Sequence, residues 1–567
     1  MVVRLSSFRS LWGHAAPLLS WPVVPGVQSS RTVFKPYRGA QRRPGTQTAE
    51  KGQTMPQSYI ERILRAQVYD VARETPLDRA PRLSQRLNNR VWLKREDLQP
   101  VFSFKLRGAY NRMRGLTQQE RRQGVVAASA GNHAQGVALS ARELGIRAII
   151  VMPETTPQIK VEAVRSYGAR AVQVGDSYDE AYAHAQELVR EKGMTFIHPF
   201  DDRDVIAGQG TVGMEILRQH AGPPDAIFVP VGGGGLVAGI GAYVKFVYPG
   251  VKVIGVEPDD ASTLYRALEA GRRVNLKQVG IFADGVAVRQ IGKETFRLAR
   301  QVVDEVILVS TDEICAAIKD VFDDTRTVAE PAGALSVAGL KKYVQREGVE
   351  GASLVAIESG ANINFDRLRH VAERAELGER REALLAVEIP EKPGSFLRFC
   401  KTISDKRSVT EFNYRYADAT AAHVFVGVEL SGGDEERREL IGDLTEAGYP
   451  VIDMTDNETA KLHIRYMVGG HAPEVKNECL FRFQFPERPG ALYRFLRGMG
   501  RRWNISLFHY RNHGAAYGRV LMGVQVDARE RKEFLRFLQG LGYPYEEETG
   551  NMAYRLFACG GRCCRPG

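Results

Sequence analysis

Between residues 58 and 375, short apolar runs alternate with longer stretches in which apolar side chains recur every three to four positions. The runs at 125–128, 148–152, 171–174, 226–231, 251–256 and 354–357 are rich in Val, Ile and Ala and have no regular polar break. Such runs predict strands buried on both faces. The segments 134–144, 159–167 and 178–191 carry the helical period. Strand and helix in alternation predict an α/β fold, with parallel twisted sheets covered by helices.

After Glu382 the pattern changes and a repeat begins. The segment from Ile389 to Phe399 (IPEKPGSFLRF) matches that from Phe485 to Phe495 (FPERPGALYRF). Val409 to Arg415 matches Ile505 to Arg511, and Phe425 to Val428 matches Leu521 to Val524. All three matches keep one offset of 96 residues, so a module is duplicated. Each copy reads strand, Pro-Gly turn, helix, strand, strand, helix, strand, with the turns at Pro393-Gly394 and Pro489-Gly490. That order predicts an α+β, ferredoxin-like unit. It resembles the ACT family of regulatory domains that bind small molecules. A duplicated dimerisation module with no ligand has the same pattern.

The chain of 567 residues exceeds one core, and the predicted domains are 56–375, 383–455 and 479–557. Residues 558–567 form a tail. The net charge of +11 does not point to nucleic acid, because residues 1–50 hold seven basic residues and one acid. In that segment Leu5, Phe8 and Leu11 or Trp12 recur at helical spacing among Arg4 and Arg9. Residues 1–55 therefore read as an organelle transit peptide, mitochondrial before chloroplastic, or as a disordered tail. No apolar run is long enough to span a membrane. Cys315, Cys400 and Cys479 are too scattered for a disulfide framework. Cys559, Cys563 and Cys564 lack His or acid partners, so no metal site is expected.

Four segments carry candidate chemistry. Lys105 lies among Phe102, Phe104 and Leu106, and an apolar setting disfavours the ammonium and leaves the neutral amine that Schiff-base chemistry needs. Ser129-Ala-Gly-Asn-His-Ala-Gln-Gly136 joins a strand to a helix, where backbone N–H groups can hold an anion such as a carboxylate. An ordinary turn capped by Asn132 is the alternative. Gly232-Gly-Gly-Gly235 also joins strand to helix, without the Lys-Ser/Thr of a nucleotide loop, and suits a lone phosphate. Ser359, in Ser-Gly-Ala-Asn362, follows the last strand at the end where ligands of open α/β sheets bind.

Together, in this order and with the duplicated tail, these motifs resemble the fold-type-II pyridoxal phosphate (PLP) enzymes of the biosynthetic threonine dehydratase family, over about residues 56–557. The resemblance implies a tryptophan-synthase-β-like catalytic domain and two ACT-like repeats. It implies that Lys105 binds PLP as an imine and, once freed, removes the substrate Cα proton. Gly232, Gly233, Gly234, Gly235 and Leu236 then hold the phosphate, Asn132 the ring 3-oxygen, and Ser359 the ring nitrogen. Ser129, Gly131, Asn132 and His133 receive the substrate carboxylate. The expected reaction is deamination of L-threonine, and more weakly of L-serine, to a 2-oxo acid and ammonia, as the first committed step of isoleucine biosynthesis. Isoleucine inhibits and valine relieves members of this family, and Asn413, Tyr414, His509 and Tyr510, at equivalent repeat positions, are the effector candidates. A homotetramer is implied. An unregulated serine/threonine dehydratase, a racemase or an inactive sensor are the alternatives. The chain departs from the family pattern at Glu358, which strand alternation turns away from Ser359.

Overall fold

Unbroken apolar runs become strands wherever helices cover both of their faces. The computed structural model describes Tyr37–Arg38 and residues 57–390, 399, 402–403, 407, 409–415, 421–466, 477–486, 503–511 and 517–557. Apart from Tyr37–Arg38, the transit-like segment lies outside the described residues, as do both Pro-Gly turns, Cys400 and the cysteine-bearing tail.

The larger sheet has seven strands, in the order Tyr37–Arg38, Glu305–Val309, Lys252–Pro258, Ala226–Pro230, Ser353–Glu358, Arg90–Arg95 and Leu77–Arg79. Its five inner strands are parallel, and the two edge strands run antiparallel to their neighbours. The smaller sheet has four parallel strands, Arg170–Gln173, Ala148–Met152, Val125–Ala128 and Thr195–Phe196. Ala148–Met152 and Ala226–Pro230 are buried at every position, which explains their continuous apolar character.

Each C-terminal repeat forms a four-stranded antiparallel sheet. The orders are Val409–Arg415, Ala421–Glu429, Glu382–Pro390, Val451–Asp453, and Asn504–Arg511, Tyr517–Gln525, Glu478–Pro486, Tyr545–Glu547. In both, the first strand lies between the third and fourth, as the ferredoxin-like reading requires. The duplication reaches fine detail. The ladder slips between Val409 and Glu411 in one copy and between Ile505 and Leu507 in the other.

An ion cluster ties the segment that follows the first repeat to the catalytic part. Arg374, on the helix Arg367–Gly378, pairs with Asp312 and places Nη2 2.7 Å from Glu458 Oε1. Lys461 Nζ, from the same short helix as Glu458, reaches Asp312 Oδ2 at 2.5 Å.

A second buried cluster fixes the helix Lys105–Arg114. Arg107 is fully buried, with Nε 2.7 Å from Glu96 Oε2 and Nη1 2.6 Å from Glu215 Oε1. Lys94 Nζ completes the cluster 2.6 Å from Glu215 Oε2. Two cations thus meet two carboxylates, and Thr75 and Tyr69 donate further hydrogen bonds to the carboxylates at 2.6 and 2.9 Å. Removing one member of such a cluster strands the others, at a cost of about 3–5 kcal/mol. Arg107→Ala should therefore lower unfolding stability by about that much in urea titration. A loss below about 1 kcal/mol would show that the cluster is not holding the helix.

Candidate active site

Parallel strands all point their carboxyl ends one way, so the turns that follow them gather at one edge. The turn Ser129–Gly131 follows Val125–Ala128, the glycine turn follows Ala226–Pro230, and Ser359 follows Ser353–Glu358. Lys105 is the first residue of its helix. Direct contacts join the Lys105 segment to two of the other places. Phe104 donates its N–H to Ser359 O at 3.3 Å, and Ser103 pairs with Gly360 as an isolated bridge. A Cβ on Gly136 would sit 3.0 Å from Leu106 N and 3.1 Å from the Lys105 carbonyl carbon, so the helix that follows the turn Ser129–Gly131 abuts the backbone at Lys105.

Lys105 Nζ donates to Pro199 O at 3.3 Å and lies 5.1 Å above the Phe104 ring centroid. Burial lowers its proton affinity, taking the amine from 10.5 to about 8, and the Glu330 carboxylate opposes that change. The drop is worth roughly 3 kcal/mol against the ammonium. A cation–π contact with Phe104 returns only about 0.5–1 kcal/mol, so burial wins. The apolar setting differs from the one expected. Phe104 supplies it, whereas Phe102 stands 55% exposed with a left-handed φ of 54°.

The helix Asn132–Leu144 begins two residues earlier than its apolar period suggests, because Gly131 takes the cap position and offers no side chain. Its first N–H groups are thus left without a side-chain cap, as an anion site needs. Asn132 does not cap the turn. Its Nδ2 donates to Glu330 Oε1 at 2.5 Å, and its Oδ1 accepts from Asn362 Nδ2 at 2.7 Å. Ser129 Oγ accepts from Gly131 N at 3.2 Å. His133 is buried, with Nε2 2.9 Å from Ile197 O, so the neutral ring donates there. Burial and the nearby Lys105 hold its proton affinity down to about 3.

The glycine turn is shaped by close approach. A Cβ on Gly233 would fall 2.1 Å from the Phe200 ring, and one on Gly232 2.9 Å from Val286 Cα. Gly234 has φ +89° and caps the helix Gly235–Val247, again with no side-chain cap. Phe200 is held by the turn His198–Asp201, in which His198 Nδ1 accepts from Phe200 N and Asp201 N at 3.2 and 2.8 Å. Leu236 is buried. Ser359 is buried and donates to Ala332 O at 3.2 Å, while Glu358 Oε2 faces Arg95 Nε at 2.9 Å. The strand end therefore presents a hydroxyl, with the neighbouring acid turned to a cation.

Amine, uncapped glycine turn and hydroxyl fit a phosphorylated aldehyde with a ring nitrogen. Sequence reasoning missed three contributors: Phe200, Asn362 as the partner of Asn132, and Glu330. The available signal for Glu330 was an acid before Pro331 at the start of an Ala- and Gly-rich helix. The effector candidates Asn413 and Tyr414 lie on the strand Val409–Arg415, and His509 and Tyr510 on Asn504–Arg511, away from this site in sequence and in different sheets. Among the described residues no group of His, Cys, Asp and Glu is arranged to hold a metal ion, and no helix is long and apolar enough to cross a membrane.

Since an ammonium is unreactive toward anhydrides, competitive acetylation of the cofactor-free chain should show Lys105 half-reactive near pH 8. Half-reaction near pH 10.5, the ordinary lysine range, would mean that the amine is not buried as described.

Residues 68–360 match the family described as pyridoxal-phosphate dependent enzyme. Residues 373–464 and 469–558 each match the C-terminal regulatory domain of threonine dehydratase. The biosynthetic L-threonine dehydratase of Burkholderia multivorans is 59% identical over 88% of this chain and 99% of its own length. The mitochondrial threonine dehydratase of Saccharomyces cerevisiae is 53% identical over 88% of this chain and 89% of its own. The solved structure of the processed form of threonine deaminase isoform 2 from Solanum lycopersicum superposes with a TM-score of 0.55 at 50% identity, over 56% of this chain and 92% of that one. By these matches and the site they cover, the chain belongs to the pyridoxal-phosphate dependent enzymes and, among them, to the biosynthetic threonine dehydratases.

Proposed function

We propose that this chain deaminates L-threonine by β-elimination of water, giving 2-oxobutanoate and ammonia, and that isoleucine inhibits it through the C-terminal repeats. The observation that carries the reading is the Lys105 amine, buried and titrating near neutrality beside an uncapped glycine turn and a hydroxyl donor.

The cofactor of this family is pyridoxal phosphate. Lys105 would bind it covalently through Nζ. The N–H groups of Gly232–Leu236 would hold its phosphate, Asn132 Nδ2 its ring oxygen and Ser359 Oγ its ring nitrogen. When bound, it supplies the electron sink that takes up charge from the substrate Cα. Lys105 Nζ, released by the incoming amino group, takes the Cα proton. An amine that titrates at about 8 is partly unprotonated at neutral pH and can do so. The N–H groups of Asn132 and His133 would orient the substrate carboxylate, while Ser129 Oγ accepts from Gly131 N and holds that turn in place. Ser359 would present a hydroxyl and not a carboxylate to the ring nitrogen, so no acid there would hold a proton on it, which would favour loss of the β-hydroxyl over reprotonation.

Two similar repeats, with an ion cluster joining the segment after the first of them to the catalytic part, support regulation, with Asn413, Tyr414, His509 and Tyr510 in the effector sites and valine competing there with isoleucine. The same reading takes 56–375 as the catalytic domain, 383–455 and 479–557 as the repeats, and residues 1–55 as a mitochondrial transit segment, with a homotetramer as the working form.

Threonine and serine differ by one methyl, worth about 1–3 kcal/mol in a pocket, so kcat/KM should favour threonine by about 10–200-fold. Isoleucine should lower the rate on the full chain and not on a chain ending at residue 382. Equal use of serine and threonine with no response to isoleucine would instead indicate an unregulated dehydratase. Ser359→Asp should lose dehydratase activity and gain reprotonation of the Cα. Full activity without a new side reaction would remove the argument from ring charge.

A further inference from the structure

The roles assigned so far leave one buried acid of the site without a task. Glu330 holds the cap position of the helix Pro331–Glu347, yet its side chain makes no cap hydrogen bond. Glu is longer than the residues that normally cap a helix, and its carboxyl is free to reach another partner. Here Oε1 accepts from Asn132 Nδ2 at 2.5 Å, and the residue is only 5% exposed. Two glycines keep room for the carboxyl. A Cβ on Gly360 would lie 2.8 Å from Oε1, and one on Gly285 3.5 Å away.

The Asn132 amide is therefore held from both ends. Asn362 Nδ2 donates to its Oδ1 at 2.7 Å and is itself anchored by donating to Val101 O at 2.8 Å. With Oδ1 committed to Asn362, Nδ2 must face Glu330, and one of its two hydrogens remains for another acceptor. The charged groups that act on Glu330 come from four directions: Asp284, Lys160 on the helix Gln158–Ser166, Arg367 on the helix Arg367–Gly378, and Lys105. Asp284 is already compensated, with Lys160 Nζ at 2.7 Å and Arg367 Nη1 at 3.4 Å. Glu330 has no such cation bonded to it, and its charge is the one left acting on the Lys105 amine.

We propose that Glu330 is a positioning residue of the reaction, acting through Asn132: it fixes the Asn132 amide toward the cofactor ring oxygen and supplies the negative charge that keeps a proton within reach of Lys105. The inference rests on the reading that Asn132 faces the cofactor. Burial, reinforced by Asp284, lifts the Glu330 carboxyl to about 7, below the value near 8 at which Lys105 titrates. Glu330 is thus mostly anionic while Lys105 gives up its proton, and it holds that proton on. Removing its charge must move the Lys105 titration to lower pH. For a unit charge close to a partly buried amine the shift is about one pH unit.

Glu330→Gln keeps the volume and an oxygen for Asn132 to donate to, but removes the charge. Glu330→Asp keeps the charge. Both are compared with the unmodified full chain in two measurements: competitive acetylation of Lys105 in the cofactor-free protein, and absorbance against pH after loading with pyridoxal phosphate. The expected result is a fall of about one pH unit in the Lys105 half-labelling point for E330Q, the same downward direction in the absorbance titration, and values for E330D close to the unmodified chain. An unshifted E330Q, or an E330D displaced as far as E330Q, overturns the proposal. If E330Q does not load, its labelling titration alone decides. Asn132→Ala separates the two layers of the argument. A changed cofactor spectrum in N132A with an unshifted E330Q sinks only the role of Glu330, whereas an unchanged spectrum in N132A removes the reading beneath it and the proposal with it.

Discussion

An amine that must shed a proton near neutral pH has to be taken out of water, and the surroundings of Lys105 follow from that constraint. Burial alone lowers its proton affinity, and the Phe104 ring and the Glu330 charge each return part of what burial removes. Such a balance holds only if the amine cannot move toward solvent. The buried cluster of Lys94, Glu96, Arg107 and Glu215 meets that need, because Arg107 lies two residues beyond Lys105 on the same helix. Charges buried in one place thereby keep a single amine easier to deprotonate in another.

The opposite side of the site obeys the complementary rule. A ring nitrogen faced by a hydroxyl stays neutral only if nearby acids are turned away, and Arg95 takes Glu358 in the opposite direction from Ser359. Two helix starts, at Asn132 and Gly235, leave their N–H groups without side-chain caps. Uncapped helix starts leave N–H groups that an anion can satisfy. Two anions are what the proposed reaction brings, a cofactor phosphate and a substrate carboxylate.

Much of this could be read in the chain before any fold was known. The strands Val125–Ala128, Ala148–Met152 and Ala226–Pro230 are legible because a strand covered on both faces needs an unbroken apolar run. The four motifs are legible because each is a turn whose small residues have a local reason to be small. Arg90–Arg95 is different. Its Lys94 and Arg95 break the apolar run, and they are buried only because Glu215 and Glu358 arrive from far along the chain to meet them. Glu330 is hidden for the same reason. Its partner Asn132 lies 198 residues away in sequence, and no periodicity connects them. Phe200 shares that fate, since its contact with Gly233 exists only once the two sheets are assembled. The duplication is legible from its constant offset, whereas the ladder irregularity that recurs at equivalent positions in both copies depends on strand pairing and shows only in the fold.

The central claim is that one lysine among many is set apart by where its amine is held. Loading the full chain with pyridoxal phosphate, reducing it with borohydride and mapping the peptides reads that directly. The account predicts a phosphopyridoxyl group on Lys105 and on no other lysine in stoichiometric amount. A label spread over several lysines, or missing from Lys105, would contradict it.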